Sequence, residues 1–356
     1  MRSTRRFLGV VLALIIVGVG LALAGCGSSS NTKTLKLGYV TGPTHPYGLA
    51  LTQFAAQVDK ASGGKLKIDL LPVYAGGNDI NLLNDIKGGV VSMGSVSAAV
   101  WGTEGVTSFE ALQMPFLVSS YKLEGAVLAS SIQQQMLAGT EALGLHGLAI
   151  HEGGLRKPVS AGACLTNLAA FNGVKIRSVQ SSLLTDSLAA LGASPQALPL
   201  SEVYLALKNG TVNALEANLG LVYTNKYYEV AKCITGNVNF WPFPSVLSIN
   251  HKTWDGLTAQ EQGWISAAAD KLPAESLAIV SNPASPLVAN ICATGMKFAT
   301  ATPEAIAALK AAEAPVYTKY TADPTTGKFV SDIEAIKASL APPAAPKPYP
   351  AGCTAK

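Results

Sequence analysis

Twice along this chain, strands and amphipathic helices follow one another in the order β-α-β-α-β, and that grammar leaves few architectures open. Residues 34–40 alternate Leu35, Leu37 and Tyr39 against Lys36 and Gly38, which predicts a strand. The loop Gly42-Pro43-Thr44-His45-Pro46 leads into a helix expected from about Gly48 to Ser62. Its positions Leu51, Phe54, Ala55 and Val58 share one face, and Gly63-Gly64 stops it. A second strand is expected over 65–71. Asn78 or Asp79 caps a helix carrying Ile80, Leu83 and Ile86, Gly88-Gly89 ends it, and Val90 to Met93 is expected as a buried strand. The pattern returns with a strand at Gly173 to Arg177, a helix capped by Ser181 or Ser182, and a strand at Pro195 to Pro199. A helix capped by Ser201 and a strand beginning at Thr211 to Ala214 complete it. The expected class is α/β, with two lobes forming a hinged clamp. After Trp254 the chain turns Ala-rich and helical, and the stretch from Ala341 to Gly352 is Pro-rich and expected to be extended.

Arg2, Arg5 and Arg6 precede an uncharged apolar run from Phe7 to Ala24, and Leu23-Ala24-Gly25-Cys26 follows. A basic start, an apolar middle and a small-residue exit read as a secretory leader over residues 1–25. The alternative is a retained membrane helix, since such a run can just span a bilayer. The exit favours cleavage, because it resembles the bacterial lipobox in which the Cys26 thiol is lipidated. Residues 26–34 then form a lipidated tether, polar and flexible from Gly27 to Thr32.

The chain has 26 Lys and Arg against 22 Asp and Glu, and three of those arginines lie in the leader. The remainder is close to neutral, which argues against a nucleic-acid partner. With Cys26 lipidated, Cys164, Cys233, Cys292 and Cys353 remain, an even number in an oxidising compartment. Three pairings are open. Cys164–Cys233 with Cys292–Cys353 is favoured, because each pair joins segments assigned to one lobe. No CxxC occurs and the four histidines are scattered, so neither a metal site nor a cofactor is expected.

No GxSxG, HExxH, Walker A or GxGxxG motif is present, and nothing assembles a nucleophile with a base. The ligand-binding candidates are instead residues placed by the expected strands. Arg156 follows Gly153-Gly154-Leu155, and Arg177 ends the strand Val174-Lys175-Ile176-Arg177. Strand ends in α/β sheets face the crevice where ligands bind, and a guanidinium grips a carboxylate through two parallel bonds. A surface salt bridge is the plainer reading of either arginine. His45 sits just after the first strand, in a loop facing the cleft. Trp241, within Phe240-Trp241-Pro242-Phe243-Pro244, reads as a cleft wall or a packed hinge segment. Tyr74 and Trp101 are further cleft candidates, with core packing as their alternative.

Several collinear fragments resemble the DctP-type substrate-binding proteins of TRAP (tripartite ATP-independent periplasmic) transporters. They are Met114-Pro115-Phe116-Leu117, Gly154-Leu155-Arg156, Phe171 to Arg177, Glu202 to Gly210, Tyr228 to Lys232, and Leu247-Ser248-Ile249-Asn250 to Trp254. The resemblance runs from about Leu35 to Gln262. It implies a periplasmic-binding-protein-like (type II) clamp with mixed sheets, hinge strands and a long interlobe helix. It also implies that Arg177 pairs with a substrate carboxylate and that Arg156 assists. One departure stands out: the family's ligand Asn falls on Ala217, in Glu216-Ala217-Asn218. Asn218, one place on, would face the other side of a continuing strand. Glu216 and Asn218 join the candidate set, and the lost Asn suggests a ligand less polar than a sugar acid.

The lobes are expected at 35–153 plus 246–285 and at 154–245 plus 286–340, with a tail at 341–356. The expected function is capture of a small organic acid ligand and its delivery to the small and large integral-membrane subunits of a TRAP transporter. The protein would be exported and held by lipid on the outer face of the cytoplasmic membrane. The alternatives are a ligand sensor for a signalling receptor and, less in keeping with the motifs, a secreted enzyme.

Overall fold

The computed structural model describes residues 32–342, 349–350 and 352–355. The expected leader and Cys26 lie outside these residues, as does part of the Pro-rich tail. Among the described residues no helix is long and apolar enough to cross a membrane.

The strands are β1 (Lys33–Tyr39), β2 (Leu66–Leu71), β3 (Met93–Ser97), β4 (Leu145–Glu152), β5 (Lys157–Ser160), β6 (Lys175–Ser178), β7 (Ser194–Ala197), β8 (Ala214–Ala217), β9 (Cys233–Thr235), β10 (Pro244–Asn250) and β11 (Lys297–Ala299). They form two mixed sheets, ordered β2-β1-β3-β10-β4 and β11-β9-β5-β8-β6-β7. In the first, β1 runs parallel to β2 and β3, while β10 is antiparallel to both β3 and β4. In the second, β6 runs parallel to β7 and β8, and β5 is antiparallel to β8 and β9.

Local signals set most element ends. The first helix is Pro46–Ser62, starting earlier than expected. Pro46 has no N–H to lose at its first turn, and the His45 ring accepts the Tyr47 N–H at 3.2 Å as the N-cap. Asn78 caps helix Asp79–Lys87 through the Asn81 N–H, and Ser181 caps helix Ser182–Ala190. The strand expected at Val90 to Met93 begins only at Met93. The N–H groups of Val90 and Val91 both go to the Asp85 carbonyl, closing the end of the preceding helix, and Val90 is exposed. Ser201 caps nothing, because the short 3-10 turn Leu200–Glu202 comes before helix Val203–Lys208.

The chain crosses between the sheets side by side at two places. Residues 153–156 leave β4 for β5, and residues 236–243 lead from β9 to β10. The two crossings are hydrogen-bonded to each other: Arg156 N–H to Trp241 C=O at 2.8 Å, Phe240 N–H to Arg156 C=O at 3.0 Å, and Gly153 N–H to Phe243 C=O at 3.0 Å. The apolar motif Met114-Pro115-Phe116-Leu117 buttresses this hinge. Phe116 adopts φ 62°, a conformation that costs an L-residue about 1 kcal/mol or more. It gives its N–H to the Phe240 carbonyl and sets its ring edge-on to Phe240 at 5.6 Å.

A single apolar cluster joins Trp101, Phe109 and Phe116 of the first lobe to Phe171, Leu184 and Trp241 of the second, so the halves are in contact. Helix Pro324–Ser339, expected in the second lobe, packs instead on first-lobe segments Thr107–Gln113 and Tyr121–Leu128. Its apolar residues Phe329, Val330 and Ile333 are buried there. Helix Ala314–Tyr320, just before it, packs on helix Ser182–Ala190 of the second lobe, so the crossing falls at Thr321–Asp323. Both favoured disulfides form: Cys164–Cys233 brings residues 69 apart together and Cys292–Cys353 residues 61 apart.

Candidate functional site

Arg156 leaves the hinge at the mouth of β5, Arg177 lies in β6, and Glu216 lies in β8. β8 is the neighbour of both strands, so the three side chains meet on one face of the sheet. All are enclosed, with exposures of 1%, 3% and 0%. The Arg156 Nε donates to Glu216 Oε2 and its Nη2 donates to the Glu216 carbonyl at 2.7 Å. Arg177 Nη1 donates to Glu216 Oε1 at 3.4 Å, while its Nε and Nη2 hold the Leu198 carbonyl at 3.0 and 2.8 Å. Burial pulls the Arg156 guanidinium down to about 9, with the Arg177 charge adding to the effect, and burial alone accounts for Arg177 at about 10. Both stay cationic at neutral pH, so two positive charges share one carboxylate in a dry place.

A second cluster lies against Arg156. Its guanidinium sits over the Phe243 ring at 4.6 Å, and Phe243 stacks on Tyr47 at 4.7 Å. Tyr47 in turn meets His45 at 5.2 Å and His151 at 4.7 Å. Burial holds both imidazoles down to about 3, so they are neutral. His151 Nε2 is 2.7 Å from Ser95 Oγ, which bonds Ser245 Oγ at 2.9 Å. Asn218 is positioned by the end of β8 at Ala217. Having left the strand, it no longer obeys strand alternation. Its Oδ1 caps helix Leu219–Thr224 through the Leu221 N–H at 2.8 Å and lies 3.3 Å from His45 Nε2. Gly220 must be glycine here, since a Cβ would lie 2.9 Å from Pro46 Cδ.

Four sequence candidates thus meet around the arginine pair: Arg156, Arg177, His45 and Asn218, with Trp241 bonded to Arg156 through its backbone. Glu216 is corrected from ligand contact to counter-ion, because both its oxygens are taken by arginines. Tyr74 does not join them; its hydroxyl donates to Asp85 Oδ2 at 3.0 Å, beside helix Asp79–Lys87. Trp101 is core, edge-on to Phe109 at 5.3 Å. The cavity of about 700 Å³ touches Gly153, Gly154 and Asn218 but neither arginine.

Sequence reading missed Asp79 and a buried acid pair. Asp79 accepts the Ser97 N–H at 2.8 Å and feels both arginines; burial nevertheless raises its carboxyl to about 6. Glu152 ends β4, and one of its oxygens accepts the N–H groups of Gly154 and of Phe243 (3.1 Å), tying both hinge crossings together. Glu124, from helix Tyr121–Leu128, faces it with no exposure at all. An acid within the apolar stripe of Tyr121, Val127 and Leu128 was the available signal.

Burial raises the Glu124 carboxyl well above its usual value of 4.5, and the Glu152 charge raises it further. The folded protein therefore keeps a proton that the unfolded chain releases above its ordinary carboxyl range. The pair's contribution to stability falls as pH rises from there. Glu124→Gln is expected to flatten the loss of stability as pH rises above the ordinary carboxyl range, read as urea midpoints at several pH values. A slope equal to that of the parent would mean the proton is held elsewhere.

The family model of bacterial extracellular solute-binding proteins, family 7, matches residues 37–323. The chain belongs to this family. It is 31% identical over 242 residues to the C4-dicarboxylate-binding periplasmic protein DctP of Rhodobacter capsulatus, covering 68% of this chain and 71% of that one. It is 28% identical over 240 residues to the 2,3-diketo-L-gulonate-binding periplasmic protein YiaO of Escherichia coli, covering 66% and 72%. The solved structure of the sugar acid binding protein DctPAm from Advenella mimigardefordensis, in complex with galactonate, matches with a TM-score of 0.81 at 26% identity, covering 87% and 99%. Family 7 membership makes this chain a solute-binding protein of the TRAP type rather than an enzyme, and its two mixed sheets are the two lobes of the clamp.

Proposed function

We propose that this chain is an extracytoplasmic lipoprotein that captures a small organic carboxylate between its lobes and delivers it to the small and large membrane subunits of a TRAP transporter. Cys26 would carry the lipid and hold the protein on the outer face of the cytoplasmic membrane. The observation that carries the reading is the pair of enclosed guanidinium groups, Arg156 and Arg177, sharing the single carboxylate of Glu216 where the lobes meet. A ligand carboxylate arriving there would accept from the guanidinium donors. Closure then removes water and strengthens each charge-assisted bond. The membrane subunits would select the closed arrangement, a population shift between two lobe positions. The relatives' descriptions support the class, since C4-dicarboxylate, 2,3-diketo-L-gulonate and galactonate are all organic acids.

Thermal-shift screening of the chain from Cys26 onward against organic acids tests the reading. The melting temperature is expected to climb with the concentration of the right acid, by an amount set by RT ln(1 + [L]/Kd). A panel in which neutral sugars or amines stabilise and acids do not would contradict it. Copurification with membrane transport subunits separates delivery from signalling. Cys26→Ser should move the protein from the membrane fraction to the soluble one.

A further inference from the structure

We propose that the cavity of about 700 Å³ beside the hinge is a second binding site, for an amphipathic anion: an alkyl or aryl body carrying one negative head.

The cavity is separate from the arginine pair. Residues 153–155 of the first hinge crossing line it, and the chain then turns the Arg156 side chain onto Glu216, outside its walls. Arg177, Glu216 and Asp79 do not border it either. Its walls come instead from the helix after β1, the helix after β8 and segment 279–290. Its volume is in the range of sites that enclose a small molecule.

Two features choose the occupant. The first is apolar surface: Leu49, Leu155, Ile279, Val280, Leu287 and Val288 all line the cavity. Leu49, from helix Pro46–Ser62, and Tyr223, from helix Leu219–Thr224, stand exposed at its rim. An alkyl or aryl body would take this surface out of water.

The second feature is charge. Lys157 is the one charged side chain in the lining, and no Asp or Glu accompanies it. Its ammonium donates to the neutral Asn239 Oδ1. Burial alone lowers it to about 8, so it stays largely cationic at neutral pH with no carboxylate acting on it. A desolvated cation with only an amide for partner favours a negative head over a neutral one. Asn218, in the same wall, adds a buried side-chain nitrogen that has no partner.

Titration calorimetry on the chain from Cys26 onward tests this with decanoate, octanoate and decan-1-ol, each below its micelle or solubility limit. Decanoate is expected to bind at a single class of site. It should bind about tenfold tighter than octanoate, because two more methylenes are buried, and about tenfold tighter than decan-1-ol, which lacks the charge. Lys157→Met should erase the margin over decan-1-ol. Leu49→Glu and Tyr223→Glu alter exposed residues, so melting curves should match the parent while each weakens decanoate by about tenfold or more. In Arg177→Ala the decanoate affinity should stay within about twofold of the parent. Absence of saturable decanoate binding overturns the proposal. So does binding that is lost in Arg177→Ala and kept in both rim variants, which would put decanoate at the arginines. Equal affinity for decan-1-ol overturns the anionic head. Capture of an acid at the arginine pair is read separately, by the thermal screen.

Discussion

Arg177→Ala is expected to fold and to lose its ligand. Arg177 sits in β6 with its Nε and Nη2 fixed on the Leu198 carbonyl, so the guanidinium is held rigid before any ligand arrives. Truncation removes one of two cations from a dry site, and a bound carboxylate would then face Glu216 across a single remaining arginine. Removing one partner of such a desolvated pair costs roughly 2–5 kcal/mol, which is about 30-fold to several-thousand-fold in affinity. Calorimetry with the best acid from the thermal screen reads this directly. Affinity within a factor of about two of the parent would exclude Arg177 from the site. The fold should survive, because without Arg177 the Glu216 carboxylate still accepts from Arg156 Nε, while Arg156 Nη2 keeps the Glu216 main-chain carbonyl.

Glu216→Ala is expected to do the opposite and damage the fold first. It removes the one carboxylate that both buried guanidinium groups contact, and breaking a buried pair from one side costs about 3–5 kcal/mol. The variant should unfold at clearly lower urea and temperature. Added carboxylate ligand should restore part of the loss, since its oxygens accept from the guanidinium donors that Glu216 no longer holds. A variant as stable as the parent would mean that the arginines are less enclosed than their 1% and 3% exposures indicate.

The strands and first helices were legible because their patterns are local. Leu35, Leu37 and Tyr39 alternate, Asn78 and Ser181 cap, and Gly63-Gly64 stops a helix, each within a few residues. Sheet order was not legible from pattern: β10 lies between β3 and β4 through pairs such as Val246 with Val96 and with Ile150, joined only by the folded chain. The arginines could be picked out because strand ends point to a crevice and because the flanking fragments resemble a family. Of the buried acid pair only Glu124 carried a mark, its place in the apolar stripe of its helix, while Glu152 is not unusual until Glu124 is packed against it. Tyr74 misled because an aromatic near a loop has no sequence mark saying that its hydroxyl is already spent on Asp85. Asn218 was read as a strand residue, and one position decided otherwise.

The Cys292–Cys353 bond has a mechanical consequence. Between these cysteines the chain lays helices Pro303–Ala312 and Ala314–Tyr320 on the second lobe and helix Pro324–Ser339 on the first. It then returns to the second, where Thr354 bridges Phe298. The clamp therefore wears a covalent belt, and its gape has a hard stop. The leg from Leu340 to Tyr349 reaches about 30 Å at full stretch. A wider yawn requires cutting the sulfur link or unravelling a helix.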